Sequence, residues 1–120
     1  MAGEETLLRV ISPGAAKSWI KADGTPTSLM FDPPVFSTDV ESLTTIKQTL
    51  SRWPAGSGIG SFSASDARSW EFYAHHHPEH DNPAHANVYC DLNSSQRKKK
   101  AKELAAITVI RVPPVSPAGS

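Results

Sequence analysis

Two apolar runs stand near opposite ends of the chain, the β-branched and leucine run TLLRVI at 6–11 and the strongly β-branched ITVIRV at 107–112. Branching at Cβ restricts side-chain rotamers in a helix and suits a pleated, half-buried surface, so both runs read as strands. Between them, helical and extended patterns alternate without any internal repeat. Strands at both ends, interleaved with helices, imply an α+β (mixed α/β) fold. The expected architecture is a single sheet of about five or six strands with two main helices and short helical turns. The 120 residues fit a single domain, because two separate cores need more chain. Residues after Pro113, to 120, read as a frayed tail.

Local signals fill in the elements. Ser12 and Pro13 open a short helix that Gly14 limits. KADGTPTS at 21–28 is turn chemistry, and SLMF at 28–31 reads as a strand closed by Pro33 and Pro34. The clearest helical pattern is STDVESLTTIKQTLSRW at 37–53. There Thr38 and Glu41 have capping-box spacing, and Val40, Leu43, Ile46, Leu50 and Trp53 recur at three- and four-residue steps. GIGSF (58–62) suits a strand entered through glycines. SASDARSW (63–70) suits a helix capped by Ser63 or Ser65, with Asp66 in its first turn. WEFYAHHH (70–77) and HANVYC (85–90) read as strands joined by the hairpin loop PEHDNPA. A Ser-capped helix from about 96 to 106 then runs directly into the last strand.

Charge narrows the partners. Lys+Arg and Asp+Glu are both 12, so no global field selects nucleic acid or an anionic membrane. The same balance weakens repulsion between copies and makes self-association cheap. Cys90 is the single cysteine, which excludes an intramolecular disulfide and a cysteine-based zinc cage. The start MAGEETLLRV does not resemble a secretory signal, and no apolar stretch approaches a membrane span. A cytoplasmic location is expected.

All five histidines lie between 75 and 85. On a strand over 72–77, Tyr73, His75 and His77 share one face and His76 points the other way. His75 and His77 then form a two-ligand arm that His80, Asp81 or His85 completes into a tetrahedral metal site. The spacing matches neither HExxH nor a zinc-finger pattern, and the same residues equally describe a solvated hairpin tip. No cofactor is expected by default; zinc or another transition metal is what this stretch would take. His85 opens a strand after the Asn82–Pro83 turn and is a candidate general base.

Two further groups carry candidate chemistry. Arg97, Lys98, Lys99, Lys100 and Lys102 place five cations on one helix, either as a solvated face or as a patch for nucleic acid or an acidic partner. No aromatic residues interleave with them, so base stacking is unsupported. Arg9 on the first strand, with Ser37 and Thr38, is similar in layout to ADP-ribosyltransferase-like domains, where a first-strand Arg or His holds NAD. The likeness implies an NAD-using enzyme, but neither Glu71 nor Glu103 stands where a catalytic glutamate belongs. GSGIG at 56–60 lacks the residues of a phosphate loop and reads as turn and strand entry.

LLRVISP, the Asp-Gly turn before Ser and Phe, FSTDVESL, SFSASDAR, DNPAHANVYC and the terminal VIRV resemble, in order, a group of small bacterial proteins sharing an Asn-Pro-Ala-His-Ala segment. Thr38 departs from that group's pattern. The resemblance implies a bacterial or mobile-element origin and no particular activity. With no catalytic constellation complete, the leading expectation is a small intracellular binding or accessory module acting through protein contacts. The alternatives are a metal- or His-dependent hydrolase or nuclease centred on 75–85, the NAD enzyme, and nucleic-acid binding through the basic helix.

Overall fold

The first strand, β1 (Thr6–Ile11), lies inside a six-stranded sheet in which every pairing is antiparallel. A computed structural model describes residues 4–115. Reading across the sheet, β4 (Tyr73–His76) pairs with β5 (His85–Tyr89), then come β2 (Val35–Val40), β1, β3 (Gly58–Ser63) and β6 (Val109–Val112). The α+β expectation is met, with the two end runs on either side of β3. Among the described residues, no helix is long and apolar enough to cross a membrane.

Alternation along the strands divides the sheet into two faces. One is covered by α1 (Ala16–Trp19), α3 (Ala64–Ser69), α4 (Ser94–Ile107) and the 3-10 turn Ser28–Phe31. Phe31 centres this core, its ring 5.4 Å from Phe36 and 5.2 Å from Phe62, with Phe72 at 6.5 Å. Each such buried ring contributes about 1.5–3 kcal/mol of transfer free energy. On the other face, Leu8, Val10 and Ile59 are covered by Ile46 and Leu50 of α2 (Ile46–Leu50), with Val112 beside them. That cover stops short of β5 and β4. There the face carries exposed Ser37, Tyr73 and His75 and the half-buried Asn87 and Tyr89.

Two expected elements are corrected. SLMF is a 3-10 turn rather than a strand: the Thr27 hydroxyl accepts from the Leu29 amide at 3.3 Å, and the turn drives Met30 and Phe31 into the core. The stretch 37–53 is not one helix. Its first part completes β2, where Phe36, Thr38 and Val40 point into the main core at period two. Thr38 is therefore no cap; its hydroxyl donates to the Ala86 carbonyl at 3.0 Å inside the sheet. Glu41 instead pairs with Arg111 of β6 through two hydrogen bonds of 3.0 and 2.8 Å. Pairing on both sides, to β1 and β5, outweighs a capping signal worth about 1 kcal/mol.

The helix that remains, α2, is capped by Thr45, whose hydroxyl accepts from the Gln48 amide at 3.0 Å. Helix α4 starts earlier than expected, at Ser94, with Asn93 rather than a serine as cap. Gly58 is needed for close approach: a Cβ there would lie 2.5 Å from both the Pro114 nitrogen and the Val112 oxygen. The expected tail is held at its start, where the Val115 amide donates to the Gly56 carbonyl at 2.8 Å. Residues 116–120 lie outside the described residues.

Candidate functional site

Where β2 meets β5 on the open face, a cleft of about 240 Å³ is lined by Leu8, Val10, Ser37, Asp39, Arg52, Trp53, Glu79, Asp81, Asn82 and His85. One wall is the segment after α2 and the other is the β4–β5 hairpin. The hairpin is built by Asn82. Its amide and carbonyl exchange bonds with Glu79 at 3.0 and 2.9 Å, and its side-chain oxygen accepts from the Ala84 amide at 3.2 Å. This local closure is what an Asn-Pro pair favours, and it turns Glu79 back toward His85.

Asp39 organises the cleft floor. It is buried, and its carboxylate accepts from the Thr49 hydroxyl at 2.7 Å, the Asn82 amide at 2.8 Å and the Arg52 guanidinium at 3.2 Å. Three donors offset the desolvation of the charge and tie β2, α2 and the hairpin together. Among the described residues, no buried side-chain nitrogen or oxygen lacks a partner.

His85 stands directly opposite Asp39 in the β2–β5 register and is also buried. Its Nδ1 lies 2.9 Å from the His77 carbonyl oxygen. A carbonyl only accepts, so Nδ1 carries the hydrogen and Nε2 of the neutral ring keeps the lone pair. Glu79 Oε1 is 3.8 Å from the same Nδ1, and the His77 ring packs edge-on at 5.6 Å. One ligand atom from each of His77, Glu79 and His85 falls within 4.8 Å of the others.

The remaining histidines are elsewhere. His75 stacks on Tyr89 at 5.1 Å, with Nε2 3.1 Å from the phenolic oxygen. His76 occupies a register position on the other face, and its Nε2 bonds the Pro83 carbonyl at 2.7 Å. His80 is exposed on the turn, and Asp81 lines the cleft. The structure thus joins His77 with His85, whose carbonyl accepts from the His77 amide at 2.8 Å, and leaves His75 apart on Tyr89. Asp39, Arg52, Trp53, Glu79 and Asn82 complete the site without having been singled out as site residues from sequence. The one sequence signal for them was the Asn-Pro turn.

The other sequence candidates separate by role. Arg97 donates to the Asp32 and Leu92 carbonyls at 2.6 and 3.2 Å, pinning the start of α4. Lys100 lies 5.7 Å over Trp70, Lys99 is exposed, and Lys98 and Lys102 join Lys21 along a shallow groove. Arg9 lies on the main-core face of β1, between Trp19 at 4.9 Å and Phe36 at 4.8 Å, and donates to the Met30 carbonyl at 3.1 Å. Burial lowers its guanidinium to about 10. Cys90 is buried as a free thiol.

Compared with protein-family models, with curated proteins and with solved structures, the chain matches none. The chemistry of the cleft itself therefore carries the functional reading.

Proposed function

We propose that this chain is a small binding module that takes one basic side chain of a protein partner into the cleft between α2 and the β4–β5 hairpin. The observation that carries the reading is the charge of the lining. Asp39 is paired with Arg52, whereas Glu79 and Asp81 add two exposed carboxylates on the hairpin wall. Facing them, Trp53 is 44% exposed and offers an aromatic surface for a cation. A volume of about 240 Å³ is below the roughly 300–1,000 Å³ of pockets for drug-sized ligands, so one long side chain fits better than a dinucleotide.

This reading makes the chain an accessory subunit of a larger assembly. A cytoplasmic, bacterial setting is supported by the lone cysteine and by the sequence resemblance. Isothermal titration with acetyl-Gly-Arg-Gly-amide tests the chemistry: binding is expected, weakening with salt and falling sharply in the double variant Glu79→Gln/Asp81→Asn. Equal binding by the double variant would remove the basis of the proposal.

A further inference from the structure

We infer that His77, Glu79 and His85 form a zinc site at the mouth of the cleft. The site goes beyond the docking of a basic side chain and shares Glu79 and His85 with it. Two imidazoles and one carboxylate are a donor set suited to a borderline divalent ion, and Zn²⁺ takes such sets with three protein ligands and an open fourth position.

The distances fit after small movements. Ligand atoms about 2.0–2.2 Å from a tetrahedral zinc stand roughly 3.3–3.6 Å apart. The three groups already lie within 4.8 Å of one another. His77 and Glu79 are exposed and can close the difference by side-chain rotation, while His85 is buried and fixed. Glu79 Oε1 lies 3.8 Å from His85 Nδ1, and a zinc ion taken there would replace the hydrogen that Nδ1 gives to the His77 carbonyl, the ring then carrying its hydrogen on Nε2. Asp39 and Asp81 add negative potential nearby, offset in part by Arg52. His75 and His76, each engaged elsewhere, are outside the set.

The test uses the full chain without a histidine tag. Titration with Zn²⁺ is expected to give one equivalent bound. His77→Ala and Glu79→Gln each weaken binding by at least about tenfold, the low end of what losing even an outer-sphere partner does. Both residues are exposed, so neither change threatens the fold. His75→Ala leaves zinc binding unchanged. Less than about 0.1 equivalent of zinc, or binding that survives both changes, overturns the site. The two proposals separate cleanly: His77→Ala removes zinc and retains the basic peptide, whereas Trp53→Ala weakens the peptide and retains zinc.

Discussion

Asp39 on β2 and His85 on β5 face one another in register, yet each is held by other groups. Asp39 is gripped by Thr49, Arg52 and Asn82, and His85 by the His77 carbonyl. Three separate segments, β2, the α2 region and the β4–β5 hairpin, therefore meet at one buried carboxylate. Asp39→Ala would strand a hydroxyl, an amide and a guanidinium, and is expected to cost about 3–5 kcal/mol of stability. Urea denaturation measures it, and a loss under about 1 kcal/mol would show that the network does not hold the cleft.

Gly58 tests the far edge of the sheet. The atoms that a methyl group would strike are backbone atoms of Val112 and Pro114, which cannot swing aside as a side-chain end can. Gly58→Ala is expected to force β6 away from β3 and destabilise the fold by about 1–3 kcal/mol, the usual cost of overpacking. Hydrogen exchange should quicken first at residues 109–112. Unchanged protection there would contradict the described approach.

Arg9 gives a prediction with a sign in pH. Because burial lowers its guanidinium to about 10, the unfolded chain binds that proton more tightly than the folded one. The group's contribution to stability therefore increases as pH rises from about 10 toward the ordinary arginine range, and below about pH 10 the charge carries a desolvation cost. Stacking on Trp19 and Phe36 offsets that cost. Arg9→Met keeps most of the stem and drops the charge, so it should be more stable than Arg9→Ala by about 1–2 kcal/mol. Equal stability of the two variants would mean that the side chain packs loosely.

The sequence disclosed those elements whose signal is local. The 6–11 strand, the Ser63 cap and the long basic helix were legible from β-branching, capping chemistry and composition. The segment 35–40 was not, because two periodicities overlap there. Val40, Leu43 and Ile46 fall at helical steps, while Phe36, Thr38 and Val40 fall at alternate positions. The choice between them is made by β1 and β5, through pairs such as Leu7 with Val40 and Thr38 with Ala86. On a helix over 37–53, Asp39 has no reason to be buried, so only the strand pairing brings it to the cleft floor. His77 and His85 were visible as candidates, whereas Glu79 joins them only because Asn82 folds the turn back.

The docking of a basic side chain is tested most directly by ¹⁵N NMR titration of the full chain with acetyl-Gly-Arg-Gly-amide. The account predicts saturable shifts confined to the Trp53 indole, the Asn82 side-chain amide and the backbone of residues 79–85, lost in Glu79→Gln/Asp81→Asn. Shifts centred instead on Lys21 and α4, or none at these positions, would contradict it.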